Sequence, residues 1–401
     1  MLMVIGLAMA ACLGLAYYFH DPSSARLALI YSSVILLTVG PGLFFLTRGS
    51  AQDLSRRDGI CIVTFGWIFT MLFGALPYIF SGVIGDPIAA VFETVSGFTT
   101  TGASVIADVD AVPKSILFWR ALTHFFGGMG ILVFCVAILP FIGASGVKLY
   151  QTEMTGPSKD RLTPKIATTA KYLWGVYVLL TAIESICLSI GGMTWFDAIC
   201  HSFATLATGG FSTRTISVAA YHSLFIEIVI TVFMLLGACN FVLHYRLLRG
   251  EFGAHIKNSE FRFFMMLWII SCLAVAFNTW HRVYAEFSHA LRAAVFSVTS
   301  LVSTTGFSTD DFDTWPVTSK IILLLLMVVG ACAGSTGGAI KQDRLRIVIK
   351  KIARDVVLFM RPQAVIRIRA GGELVEESVV YGAVSYALLY IGASHDLQAA
   401  L

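Results

Sequence analysis

Charge is what this chain has least of. Lys, Arg, Asp and Glu make up 13% of its 401 residues, against about 25% in soluble domains. With 57% hydrophobic residues and a mean hydropathy of +0.80, that deficit excludes an ordinary soluble protein and points to the membrane class. Paired cysteines are lacking too. The eight cysteines stand singly, mostly inside apolar runs, with no CxxC or metal-ligand spacing. They are expected to act as small apolar side chains. A polytopic membrane enzyme would need a convergent Ser/His pair or a metal cluster at membrane depth, and none is visible. His124 and His201 have no partner at ligand spacing and are expected to be packed or hydrogen-bonded. A basic segment before the first apolar run is also missing, so residues 2–19 read as a retained first helix rather than a signal peptide.

What is present is a series of long apolar runs. They lie near 2–19, 27–47, 59–84, 115–143, 168–192, 222–247, 261–280, 318–340 and 375–393, each near the roughly 20 residues that a crossing helix needs. Three shorter segments, 87–99, 195–206 and 289–303, cannot span and read as re-entrant half-helices. With the N-terminus placed inside, the inner loops near 48–58, 144–171, 246–262 and 341–372 hold 21 of the 28 Lys and Arg. The outer regions hold only Arg26, Lys114, Arg120, Arg214, Arg282, Arg292 and Lys320. This bias favours a cytoplasmic N-terminus, provided that each short segment enters and leaves by the outer face.

Each short segment ends in a Thr-Gly cluster: GFTTTGAS at 97–104, TLATGGFS at 205–212 and VSTTGFS at 302–308. Aligning Thr101-Gly102, Thr208-Gly209 and Thr305-Gly306 gives spacings of 107 and 97 residues, a repeat that orders everything else. Lipid cannot hydrogen-bond extended backbone, so such loops must be buried in protein or line a watery cavity. Rings of carbonyls can replace the water shell of a cation. Glycine serves where φ is positive, threonine adds a hydroxyl oxygen, and the half-helix C-terminus brings partial negative charge. A second odd segment, GACAGSTGGAIK at 330–341, makes a poor helix interior because each Gly costs about 1 kcal/mol. It lacks the Gly-Lys-Ser/Thr order of a phosphate-binding loop. Two readings stand: close packing of small residues between helices, or an unwound intramembrane loop.

Ionisable residues are few and placed suggestively. Asp108, Asp110, Asp310, Asp311 and Asp313 follow the first and third clusters. They either raise the local cation concentration at a mouth or are ordinary loop charges. Glu184 and Glu227 fall inside spans and Glu93 inside the first half-helix, where each either faces a pore or pairs with a buried base.

The stretches SGFTTTGAS (96–104), WRALTHFFGGMGILVFCVAILP (119–140), ATLATGGFST (204–213), VSTTGFST (302–309) and GACAGSTGGAIK (330–341) together resemble the Trk/Ktr/HKT superfamily of potassium transporters, on its bacterial Trk-type side. The similarity runs over essentially the whole chain. It implies an all-α polytopic membrane protein with four membrane–pore–membrane repeats around one pore. A selectivity filter would be built from Thr100, Thr101, Gly102, Ala207, Thr208, Gly209, Thr304, Thr305 and Gly306, with potassium at the Thr-Gly pairs as transported ligand. Gly334, Ser335, Thr336, Gly337 and Gly338 would form the gating loop. Lys341, Arg344 and Arg346 would either meet a cytosolic partner or only set topology. The partition expected is a helix pair at 1–47, pore repeats at 48–143, 144–249 and 250–360, and the start of a fourth at 361–401. The resemblance further implies potassium uptake at the bacterial inner membrane, a homodimer in lipid, a cytosolic nucleotide-binding regulatory subunit, no covalent cofactor and no nucleic acid. A sodium-permeable or sodium-coupled transporter of the same fold is the alternative. One more period predicts a fourth filter near 405–412, past Leu401. The expectation is therefore that the complete protein conducts potassium and that this 401-residue form is impaired.

Overall fold

The computed structural model describes residues 1–47, 56–130, 166–371 and 373–400. These residues are helical apart from connecting loops and one hairpin of two-residue strands, β1 (Arg369–Ala370) and β2 (Glu373–Leu374). They fall into two compact units. One holds the described residues up to 234 together with 305–309; the other holds 235–304 and the residues from 310 onward.

The first unit opens with α1 (Leu2–Tyr18) and α2 (Ser23–Thr47). They pack side by side because glycines face side chains across the pair: Gly6 lies against Leu36 and Leu37, and Gly40 against Met3. Next come α3 (Arg56–Gly74), α4 (Leu76–Ser81), the short α5 (Pro87–Phe98) and α6 (Lys114–Gly128). Then follow α7 (Ile166–Ile190) and a second short helix, α8 (Trp195–Leu206). Both short helices start at a side-chain cap. Asp86 accepts from the amides of Ile88 and Ala89, and Thr194 accepts from Asp197 N, satisfying donors that a helix start leaves open. The unit's core gathers Tyr78, Phe98, Ile116 and Trp119. The Trp119 indole N–H donates to Gly74 O at 3.1 Å.

The run 222–247 is not one span. It forms α9 (Leu224–Ala238) and α10 (Phe241–Leu248), and the chain turns through 102° between them. Asn240 explains the break, since its side chain caps α10 by accepting from Val242 N at 2.9 Å. In the second unit, a one-turn α11 (Ala254–Lys257) leads into α12 (Ser259–Thr279). The third short helix, α13 (Phe287–Val302), and α14 (Val317–Val329) pack against α12 around Phe264, Cys272 and Trp315. The run 318–340 is helical only to Val329; residues 330–341 leave the helix, as their glycines suggested. The stretch 341–372, read as an inner loop, instead carries the 19-residue α15 (Gln342–Met360). A search for apolar runs passes over it because its apolar residues fill one face of a basic helix. It packs on α16 (Glu377–Ala400) through Ile347, Ile368, Val380 and Ala383, with an Arg354–Glu377 ion pair.

Among the described residues, Ser23–Leu46, Cys61–Ser81, Ala170–Ile190 and Ser259–Thr279 are each long and apolar enough to cross a membrane, and the bent pair adds a fifth. Their exposed faces carry Phe65, Ile186 and Ile270, a composition suited to lipid. Residues 131–143 of the fourth apolar run, 48–55 of the first inner loop and 144–165 of the second lie outside the described residues. The three short helices hold 12, 12 and 16 residues, too few to span. Trp119→Ala, which empties a fully buried site and orphans the Gly74 carbonyl, is expected to cost about 3–5 kcal/mol. Heating the protein in detergent and following the surviving monodisperse fraction checks this.

Candidate functional site

Each short helix runs straight into its Thr-Gly loop. Three residues at matched places adopt a left-handed backbone: Thr100 (φ 53°), Thr208 (φ 54°) and Thr304 (φ 62°). Such a conformation is costly for a β-branched side chain, on the order of 1–3 kcal/mol each. Two residues further on, Gly102 (φ 80°), Gly210 (φ 78°) and Gly306 (φ 88°) repeat it. In each loop two left-handed residues thus flank one residue that is not. A strained pattern that occurs three times over marks the loops as the site.

The same angles correct the register of the middle copy. Thr208, Gly209 and Gly210 match Thr100, Thr101 and Gly102, and they match Thr304, Thr305 and Gly306. Ala207 is the helix C-cap, equivalent to Thr99 and Ser303. Aligning on Gly209 therefore shifted the middle loop by one residue: Gly210 belongs in the set and Ala207 does not. The signal was present in the sequence, because Gly210-Phe211-Ser212 and Gly306-Phe307-Ser308 spell the same tripeptide.

In the first unit the loops meet backbone to backbone. A Cβ at Gly102 would strike the Gly209 carbonyl oxygen and lie 3.7 Å from Thr305 O. A Cβ at Gly210 would strike Thr305 O and lie 3.2 Å from Gly306 C. Helix α6 lies directly behind. Its Gly127 abuts Phe98 O and the Thr100 side chain, and its Gly128 abuts Ala207, which accounts for the paired glycines of FFGGMG. On the same helix, the His124 ring stacks on Phe211 with centroids 4.0 Å apart and packs against Gly209. Neither ring nitrogen has a hydrogen-bond partner among the described residues. His201 is hydrogen-bonded, to Asp197 O at 2.8 Å and Ser212 Oγ at 3.0 Å.

The buried ionisable groups sort differently. Glu93 pairs with Arg120 at 2.6 Å, both buried. Glu184 is fully buried, with the Thr205 side chain beside its carboxyl, and forms no ion pair among the described residues. The loop aspartates act as fasteners: Asp110 accepts from Thr215 N and Arg214, and Asp108 from Thr215 Oγ1. The hydrogen bonds from Thr215, and then the Arg214 guanidinium, hold the Asp110 carboxyl below the usual carboxylate range. In the second unit Asp310 accepts from Tyr284 and Asp311 from Asp313 N.

In that second unit the segment 330–341 is unwound, which overturns packing of small residues between continuous helices. Its anchors are specific. Cys332 N donates to Ala238 O, Phe241 N to Gly334 O, and Thr336 Oγ1 to Gly237 O. The loop is therefore fastened where α9 breaks into α10. Glu260 accepts from Ala333 N at 2.6 Å. Gly338 N donates to Thr304 Oγ1 at 2.8 Å, so the loop touches a residue of the third Thr-Gly cluster. The nearby bases are occupied within the unit. Lys341 donates to Ser335 O, Arg346 to Ser259 Oγ, and Arg344 lies over Tyr386.

The two middle glycines are not equivalent in what opposes them. Gly209→Ala meets a side chain, the His124 ring; Gly210→Ala meets a backbone carbonyl at positive φ. Each single change is expected to lower the melting temperature through overpacking of about 1–3 kcal/mol. Adding His124→Ala should cancel the Gly209→Ala loss, measured against His124→Ala alone, and leave the Gly210→Ala loss in place.

A family model described as TrkH, cation transport protein, matches residues 26–393. The chain is 40% identical over 386 residues to the Trk system potassium uptake protein TrkH of Escherichia coli K12, covering 94% of this chain and 80% of that one. It is 37% identical over 360 residues to TrkG of the same organism, covering 89% and 74%. The crystal structure of the potassium transporter TrkH from Vibrio parahaemolyticus superposes with a TM-score of 0.86 at 34% identity, over 99% of this chain and 83% of that one. These relatives are transport proteins, not enzymes, and the fold is that of a polytopic helical membrane protein. The chain belongs to the TrkH family of cation transport proteins.

Proposed function

We propose that this protein takes up potassium across the bacterial inner membrane through a filter lined by main-chain oxygens. The observation that carries this is the convergence of the Thr-Gly backbones at Gly102, Gly209, Gly210 and Thr305, each loop held in the same left-handed pattern. The filter residues are then Thr100, Thr101, Gly102, Thr208, Gly209, Gly210, Thr304, Thr305 and Gly306. Potassium is the transported ion and needs no covalent cofactor. The names of the relatives, all potassium uptake proteins, support this choice of ion.

The unwound loop at Gly334, Ser335, Thr336, Gly337 and Gly338 acts as the gate, held shut in part by the Thr304–Gly338 hydrogen bond. The repeats run 48–143, 144–249 and 250–360 after the helix pair 1–47, and 361–401 opens a fourth. The positive-inside bias supports a cytoplasmic N-terminus. The membership in a Trk system supports a cytosolic nucleotide-binding regulatory subunit as partner, and two copies of the chain associate in the bilayer.

Rubidium uptake by a strain lacking its own potassium uptake systems tests the reading. Potassium should compete and an equal concentration of sodium should not; equal competition by sodium would move the assignment to a sodium-permeable transporter. Thr304→Val removes one hydrogen bond from the gate and is expected to raise basal rubidium flux by up to about tenfold. Flux from loaded liposomes measures it.

A further inference from the structure

The corrected register brings equivalent residues of the repeats into line behind the loops. Glu93, His201 and Ser297 share one place on the three short helices, and Ser104, Ser212 and Ser308 share one place two residues after each left-handed glycine. The three places are not filled alike. Behind the first loop, the Glu93 carboxylate accepts from Ser104 Oγ at 3.0 Å and from Val105 N at 2.9 Å. The same carboxylate holds Arg120 at 2.6 Å. Arg120 then donates through Nη1 to the carbonyl of Ser212, on the second loop, at 3.0 Å. Its guanidinium lies 3.4 Å from the centroid of Phe211, the residue after Gly210. Behind the second loop, His201 holds Ser212 Oγ at 3.0 Å, and the Asp197 carboxylate on the same helix accepts from Thr213 Oγ1 at 2.6 Å and pairs with Arg214 at 3.3 Å. Behind the third, Ser308 is joined to the segment that follows the second loop: its amide donates to Ser217 Oγ at 3.3 Å and its carbonyl accepts from Ala219 N at 3.3 Å.

The geometry points to Glu93 and Arg120 as positioning residues that set ion specificity, by fixing the distance between the first and second loops. This rests on the reading of those loops as a potassium filter. The pair is buried, and buried charge-assisted hydrogen bonds are short and strong. It grips both loops just past Gly102 and Gly210, so it fixes the separation of their carbonyls from behind. A carbonyl ring that kept its spacing would match a larger dehydrated ion, and one free to close would also accommodate a smaller one. The brace is this ion pair, which ties the first loop to the second, so loss of the pair should relax that side of the site without unfolding the rest. Arg is suited to this place because its fork reaches a carboxylate, a carbonyl and a ring face at once, and a Lys cannot.

The experiment measures rubidium and sodium-22 uptake, as a ratio normalised to protein in the membrane. The protein is expressed in cells without other potassium uptake systems. Arg120→Lys and the charge-neutral double variant Glu93→Gln/Arg120→Gln are expected to lower the rubidium-to-sodium ratio about tenfold, the loss of one charge-assisted hydrogen bond. Ser104→Ala removes a strut without uncovering a charge and should lower the ratio in the same direction, and it decides the matter if the other two do not accumulate. Trp119→Phe, a packing change outside the brace, should reduce the amount of protein and leave the ratio alone. A ratio unchanged in Arg120→Lys and Ser104→Ala, or one that falls as far in Trp119→Phe, overturns the brace. A wild type with no rubidium preference overturns the potassium reading itself, and the two failures are distinct.

Discussion

A peptide group at membrane depth that is not in a helix has no water to satisfy it, and everything else in this structure follows from how that problem is met. The three Thr-Gly loops leave the helical conformation where short helices end inside the protein. Helix α6 backs the first and second of them, with Gly127 and Gly128 at the close approaches, and in the first unit the backbones of Gly102, Gly209, Gly210 and Thr305 come together. The segment 330–341 meets the same problem differently. Its amides and carbonyls find partners at the break between α9 and α10, at Glu260 and at Thr304.

Those solutions cost stability locally and gain it from surroundings that hold the geometry in place. A left-handed threonine is strained, and it persists only where neighbours over-determine it. Here the neighbours are Gly127 and Gly128 of α6, the stacked pair His124–Phe211, and the buried Glu93–Arg120 pair. The ion pair is bonded to two loops rather than merely to itself, so its value lies in what it fixes more than in net stability.

Much of this was legible in the chain. The short helices were marked by apolar segments too brief to span, and the loops by their Thr-Gly clusters. The unwinding at 330–341 followed from its glycines. What was hidden has physical causes. The register of the middle loop was ambiguous because Gly209 and Gly210 are adjacent, and only the backbone angle says which one occupies the left-handed place. Helix α15 was missed because its apolar residues cover one face of a basic helix and never form a run. The break at Asn240 was missed because Ala238, Cys239 and Phe241 keep the hydropathy high while a side-chain cap ends one helix and starts another. Arg120 read as one of few outer bases, since nothing in a linear sequence places it 2.6 Å from Glu93.

The unequal fastening of the loops reaches beyond this one molecule. Three segments that share a backbone twist and a Gly-x-Ser ending hold that serine differently: Ser104 donates to a carboxylate, Ser212 bonds an imidazole, and the Ser308 amide donates to the Ser217 hydroxyl. They have ceased to be interchangeable parts. A chimera that moved the first hairpin into the second position would carry Glu93 to the place of His201, four residues from the buried Asp197 carboxylate, and would take it from the Arg120 guanidinium. The order of the repeats along the chain is thus set by what stands behind each of them.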